Sequence, residues 1–214
     1  MDGPPLTIAL LVLGYLVGAL PTGVIVARLS GGTDPRTVGT GRTGSTNARR
    51  AMGSVRGLVV ALLDVLKGAV PILLARFLDA DVGQQALTGV AAVAGSWKSV
   101  YIGFGGGRGV GTWFGGLIVA SPLVAVLCLP LYAVVIRRTG LISLASLIAT
   151  VVVVAVVAVL ATVGSLDPAW LLYVIPSAAI VWLAHRENIG RIRAGTEPRV
   201  DRGFPSPPRT KGAG

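Results

Sequence analysis

The chain has 214 residues, 53% of them hydrophobic and only 13% charged, with a mean hydropathy of +0.77. A soluble globular domain carries about 25% charged residues, so that class is excluded, and the single cysteine, Cys128, excludes a disulfide framework. A formal net charge of +10 would suggest nucleic acid in a soluble protein; in so apolar a chain it reads instead as basic residues gathered on the cytoplasmic side of a membrane, and no nucleic-acid partner is expected.

Apolar stretches follow one another at 4–27, 57–75, 85–102, 110–120, 123–136, 141–163 and 169–184. They predict an all-α, polytopic membrane protein with about seven transmembrane helices. The fourth and fifth are short and are divided by Ser121-Pro122. The opening "MDGPP" lacks a basic n-region, so a cleaved signal peptide is not expected. One set of loops holds Arg28, Arg36, Arg42, Arg49, Arg50, Arg56, Lys98, Arg108, Arg137, Arg138 and the basic residues from Arg186 onward. The other holds Asp2, Asp79, Asp81 and Asp167, with Arg76 as the nearby base. The basic side is therefore expected to be cytoplasmic, with the N-terminus outside and the C-terminus inside. Residues 1–197 read as a single transmembrane domain without internal repeats, and 198–214, rich in Pro, Gly and Arg, as a disordered basic cytoplasmic tail.

Four segments carry chemistry. The first loop, "GGTDPRTVGTGRTGSTNARRAMG" at 31–53, interleaves Gly39, Gly41 and Gly44 with Thr40, Thr43, Ser45, Thr46 and Asn47, and Arg49 and Arg50 follow. Glycine lets backbone N–H groups converge on an anion, hydroxyls add donors, and arginine brings a planar fork suited to phosphate. No P-loop signature is present. The same composition also suits a flexible loop that only fixes topology. In "LLDVLKGAVP", Asp64 and Lys67 are three residues apart inside an apolar stretch. They read as a structural or supporting pair that neutralises itself on one helix face.

The third segment, "GFGGGRGVGTWFGG" at 103–116, has eight glycines in fourteen residues around a lone Arg108. Its glycines Gly106, Gly107 and Gly109 are expected to wrap a phosphate that Arg108 reaches, at the N-terminus of a helix beginning at Val110; the alternative is re-entrant backbone packed against helices. The last segment is "AHRENIGRIRAGTEP". It places the only histidine, His185, three residues before Asn188, with Glu187 between them as a supporting residue. Both His185 and Asn188 have groups suited to hydroxyl or phosphate oxygens. No metal site and no cofactor are expected.

In that order and spacing the segments resemble the bacterial acyl-phosphate:glycerol-3-phosphate acyltransferases. "GALPTGVIVARL" with "DPRTVGTGRTGSTNARR" is similar to that family's G-S-x-P-x-G…D-I-R-x-x-G-S-G-N-x-G-A-T-N-x-x-R. "DVLKG" is a second match, "GFGGGRGVGT" resembles F-K-G-G-K-G-V-A-T, and "HRENIGRIRAGTE" resembles H-R-x-N-I-x-R-L-x-x-G-x-E. The resemblance implies transfer of a fatty acyl group from acyl phosphate to the first hydroxyl of glycerol 3-phosphate, giving lysophosphatidic acid and phosphate in the first step of phospholipid synthesis. It implies a bacterial cell (inner) membrane location with the site on the cytoplasmic face, contact with membrane lipids, and a functional link to the enzyme that makes acyl phosphate. It casts Arg50, Arg108 and His185 as catalytic. Thr40, Asn47 and Asn188, with Gly41, Ser45 and the loop glycines, become substrate-binding residues.

No Ser-His-Asp or H-x-x-x-x-D motif is visible, so no covalent acyl-enzyme is expected. The departures are Arg42 for an asparagine, Ser96 for a histidine, Ser99 for a proline, Gly105 for a lysine, Arg108 for a lysine and Gly111 for an alanine. They leave open a catalytically altered or silent lipid-phosphate-binding paralogue, and the glycine-broken, Arg-rich pattern also leaves open a transporter of a phosphorylated small molecule.

Overall fold

The structure is a computed structural model that describes residues 3–200. The basic tail expected at 198–214 lies, beyond Val200, outside the described residues. Every apolar stretch becomes helical: α1 (Pro4–Gly18), α2 (Thr22–Leu29), α4 (Ser54–Phe77), α5 (Val82–Trp97), α6 (Val110–Ala120), α7 (Pro122–Thr139), α8 (Ile142–Thr162) and α9 (Leu171–Ala184). The polar segments add α3 (Ser45–Met52) and α10 (Arg186–Arg193). Leu62, Leu73, Val126 and Val151 are about half exposed or more, while Thr88, Thr112, Thr150 and Ser177 are buried. An apolar exterior around an interior that holds polar groups suits lipid as the outer solvent.

The seven stretches do not give seven helices of spanning length. α4, α7 and α8 are long and apolar enough to cross a membrane, and counting each of two bent pairs as one span makes five. One bent pair is α1 with α2, so the stretch at 4–27 is not a single helix; it turns by 46° at Leu20-Pro21. Proline has no N–H to continue the ladder, and the break frees backbone that must be paired elsewhere. Lys67 Nζ donates to the Leu20 carbonyl at 3.1 Å, Thr22 Oγ1 donates to Asp64 Oδ1 at 2.7 Å, and Lys67 and Asp64 pair at 2.8 Å. The charged pair inside α4 thus satisfies the break in its neighbour. The other bent pair is α9 with α10, which turn by 59° around His185.

Close helix contacts run through small residues, as in membrane bundles generally. On α1, Gly14 and Gly18 bring the backbone against Thr88 and Ala92 of α5. On α6, Gly111 lies against Asp64 and Gly115 against the Val65 carbonyl of α4. Further along, the Arg76 guanidinium donates to the Val119 carbonyl at 3.3 Å. α6 therefore runs parallel to α4 but starts level with Asp64, about ten residues or ~15 Å into it. The glycine-rich loop before α6 is consequently recessed into the bundle. Trp113, Leu117, Val153, Tyr173 and Val181 form the core behind it, where the Tyr173 hydroxyl donates to the Trp113 carbonyl and its ring occupies the space left by Gly116.

Candidate functional site

Three separate segments meet where the recessed loop opens. In the first, Asp34 starts a short 3-10 turn, Pro35–Thr37, by accepting the Arg36 N–H at 2.9 Å. The chain then turns through Gly39 and Gly41, both at positive φ, before α3 begins at Ser45. Asn47 ties this loop together. Its Nδ2 lies 2.5 Å from the Pro35 carbonyl, 3.0 Å from that of Val38 and 2.9 Å from that of Arg42, and its Oδ1 accepts the Thr40 N–H at 3.3 Å. Asn47, expected as a substrate ligand, here directs its amide to the loop backbone while also lining the cavity. Thr40 Oγ1 is buried without a hydrogen-bond partner among the described residues.

The second segment leaves α5 as a small closed loop. Ser99 donates its N–H to the Gly105 carbonyl at 2.7 Å and its hydroxyl to the Ala19 carbonyl at 2.6 Å. The serine that stands at the family's proline position therefore anchors this loop to the end of α1. The Ser96 carbonyl accepts the Gly107 N–H at 2.9 Å. A Cβ on Gly106 would sit 2.5–2.6 Å from the Trp97 and Ser96 carbonyl oxygens, so Gly106 lets backbone pack against backbone, and it does not line the cavity that the three segments enclose. Gly107 is different: the nearest atom to a Cβ there is 3.7 Å away. Gly109 has φ of +75° at the start of α6, a conformation that glycine adopts without strain.

Arg108 stands between these two glycines. Its Nε and Nη2 are buried and meet no hydrogen-bond partner among the described residues. Burial, and then the nearby Arg42 charge, push its pKa down to about 10, which leaves it a cation at neutral pH.

The third segment is the turn from α9 into α10. His185 is buried, and its Nδ1 lies 2.8 Å from the Val181 carbonyl. A carbonyl only accepts, so Nδ1 carries the hydrogen, and in the neutral ring Nε2 offers a lone pair. Asn188 Nδ2 donates to Glu197 Oε1 at 2.6 Å, while its Oδ1 is buried without a partner among the described residues. Glu197 also accepts the Ser143 hydroxyl at 2.8 Å and pairs with Arg191 at 2.8 Å. Its burial alone would raise the carboxyl pKa, but the donors Asn188, Ser143 and Arg191 together hold it below its ordinary value.

These segments enclose one cavity of ≈ 280 Å³. Thr40, Ser45, Asn47, Arg50, Gly107, Arg108, Gly109, His185 and Asn188 line it, as do Asp64 and Lys67. Gly41, Gly106 and Glu187 do not: Gly41 belongs to the turn closed by its own N–H on the Val38 carbonyl, and Glu187 lies outside, paired with Arg42 at 3.3 Å. Arg50 is half-buried, and its pKa is lowered by burial first, with Glu197 opposing and Arg191 adding to the shift. Phe114, Cys128, Leu129, Tyr132 and Ala149 supply an apolar wall from α6, α7 and α8.

Glu197 and Ser143 were not singled out from the sequence. Glu197 closes the fourth motif and was legible as part of it; Ser143 lies in an apolar stretch and carried no signal. The arrangement combines cations and hydroxyls for a phosphate, a lone pair for a hydroxyl proton, and a greasy wall for an alkyl chain.

Comparison with known proteins fits this chemistry. The sequence pattern of the family described as glycerol-3-phosphate acyltransferase matches residues 8–195. The chain is 38% identical over 194 residues to a glycerol-3-phosphate acyltransferase of Synechococcus sp. (strain CC9902), covering 91% of this chain and 95% of that protein. It is 39% identical over 190 residues to one from Prochlorococcus marinus (strain MIT 9313), covering 89% and 93%. Its fold is similar to a crystal structure of PlsY (YgiH), an integral membrane glycerol 3-phosphate acyltransferase, in the glycerol 3-phosphate form. That match has a TM-score of 0.82 and 34% identity over 90% of this chain and 94% of the other. The lysophosphatidic acid form of PlsY matches with a TM-score of 0.79 and 32% identity over the same shares.

Proposed function

Because the chain belongs to the glycerol-3-phosphate acyltransferase family of integral membrane proteins, we infer that its cavity transfers a fatty acyl group from acyl phosphate to the first hydroxyl of glycerol 3-phosphate. The observation that carries this reading is Arg108, a cation whose two buried nitrogens face a cavity that also presents Thr40 and His185. A buried charge is tolerable when an anion completes it, and both substrates bring a phosphate.

Acyl phosphate is a mixed anhydride and needs no covalent activation by the protein. The acceptor hydroxyl attacks the acyl carbon, a tetrahedral oxyanion forms, and the C–O bond to phosphate breaks. The hydroxyl proton leaves with the departing phosphate. His185 Nε2 accepts a hydrogen bond from the attacking hydroxyl and aligns it. Arg108 and the first backbone N–H groups of α3 and α6 stabilise developing negative charge. Holding the two reactants together supplies much of the rest. The apolar wall receives the acyl chain, and Glu197 fixes Asn188 and Ser143 at the rim.

In this reading the chain crosses the membrane seven times, with the N-terminus outside and the cavity open to the cytoplasm of a bacterial cell. The soluble acceptor enters from water, and the acyl phosphate arrives from the enzyme that makes it. Support comes from the arginines collected on one set of loops.

The test is phosphate release from acyl phosphate by the purified protein. Release should depend on glycerol 3-phosphate and match the lysophosphatidic acid formed. Acceptor-independent release, or none, overturns the reading.

A further inference from the structure

Arg42 stands where the similar family pattern has an asparagine, and Gly105 stands where that pattern has a lysine. Gly105 is spent on the closed loop with Ser99 and does not line the cavity. Arg42 does line it, from the segment opposite Arg108. Relative to that pattern, one cation is missing from the glycine-rich loop and one has been added on the facing loop.

The partner of Arg42 is as informative as its position. Among the described residues its ion-pair partner is Glu187, through one contact of 3.3 Å between Nη2 and Oε1. That is long for a charge-assisted bond, and the Glu187 side chain is 49% exposed. A partly exposed pair of this kind contributes little to stability, so it is readily exchanged. It joins the first loop to α10, across segments 145 residues apart. Glu187 itself is not a cavity residue, so the contact lies at the rim. On its inner side the Arg42 charge reaches Arg108 strongly enough to disfavour that residue's protonated form, second only to burial. Two arginines thus line one cavity from opposite loops, with the Glu187 carboxylate held outside it.

We propose that Arg42 is a further phosphate-binding cation of the cavity, facing Arg108, clamped at the rim by Glu187 and transferred to a terminal phosphate dianion when substrate enters. The inference rests on the acyltransferase reading for its substrates but not for its geometry. A dianion between Arg42 and Arg108 relieves their repulsion and offers each a planar, two-pronged partner. Exchange of Glu187 for that dianion also loosens the contact between the first loop and α10, which gives the cavity a rim that opens and re-forms with each turnover.

The experiment uses the full-length purified chain and four proteins: wild type, Arg42→Asn, Arg42→Lys and Glu187→Gln. Initial rates are measured with glycerol 3-phosphate and with acyl phosphate varied in turn, so the two sources of phosphate are separated. Arg42→Asn should raise KM for one of the two by about tenfold while kcat falls far less. Arg42→Lys should recover part of that loss, and Glu187→Gln should lower the same KM, because the competing carboxylate is gone. Unchanged KM values in Arg42→Asn overturn the proposal. So does a Glu187→Gln variant that raises KM as Arg42→Asn does, since the pair would then be a structural strap. Titration calorimetry with inorganic phosphate on the same four proteins runs beside the assay. If wild type proves inactive, the acyltransferase reading fails, and the calorimetry still decides: Arg42→Asn must bind phosphate more weakly than wild type, and Glu187→Gln more tightly.

Discussion

Arg108 is expected to cost the substrate-free protein stability for the same reason that it is useful. Two of its nitrogens are removed from water and have no partner among the described residues, and an unsatisfied buried charged group costs on the order of 1–3 kcal/mol or more. Arg108→Met, which keeps the apolar stem and removes the charge, should therefore raise the thermal midpoint of the substrate-free protein while reducing activity at least tenfold, or ~1.4 kcal/mol in the transition state. Thermal scanning in detergent beside the phosphate-release assay checks both. A midpoint that falls would show that the guanidinium is satisfied in the fold.

Glu197 is the converse case, since its carboxylate meets three donors. Because its folded pKa lies below the ordinary value of 4.5, the stability it contributes is present above about pH 4.5 and is lost as pH falls through the lower, folded value. Glu197→Gln should thus lower the midpoint at pH 7, and the gap to wild type should narrow as the pH is taken below 4.5. A gap independent of pH would assign the effect to packing.

At the scale of elements, the glycines of the 103–116 stretch divide into two kinds. Gly106 touches the Ser96 and Trp97 carbonyls, and Gly115 touches that of Val65. An added methyl in such a place forces backbone apart, which typically costs about 1–3 kcal/mol. Gly107 has room for a methyl and lines the cavity, so that methyl is added to the cavity wall. Alanine at Gly106 or Gly115 should consequently lower the thermal midpoint, whereas Gly107→Ala should fold normally and lose activity. Equal midpoints across the three variants would contradict this division. The recessed start of α6 gives the difference its meaning. A loop brought ~15 Å into the bundle needs some residues that let backbone touch backbone, and others that leave space for what it binds.

For the whole molecule, the decisive arrangement is that the ends carrying the arginines converge. The loop before α3, the start of α6, the start of α8 and the turn between α9 and α10 all contribute to one cavity. If that end faces the cytoplasm, single cysteines placed at Thr40 and Arg191 in a Cys128→Ala background should be labelled only after the membrane is permeabilised. Cysteines at Asp79 and Asp167 should be labelled in intact cells. Labelling of Thr40 and Asp79 from the same side would refute the seven-span orientation.

The class of the protein, the order of its helices and the positions of most cavity residues were legible in the sequence. Lipid selects long apolar stretches, and helix-breaking, polar residues can survive only between them or inside the bundle. Local composition is enough to read that rule. The kink at Pro21, the recess of α6 and the use of Asn47 and Gly106 were decided by tertiary structure. The first two depend on partners distant in the chain, Lys67 and Asp64 for the carbonyl and hydroxyl at the α1–α2 break and Val65 and Asp64 for the depth of α6, whereas Asn47 and Gly106 depend on how a loop closes on itself, through the Pro35, Val38 and Arg42 carbonyls and through the Ser96 and Trp97 carbonyls. The pairing of Arg42 with Glu187 is of the first kind. Spacing along the chain places a group on a helix face or in a loop, but which carbonyl or charge it meets is fixed only when the helices pack.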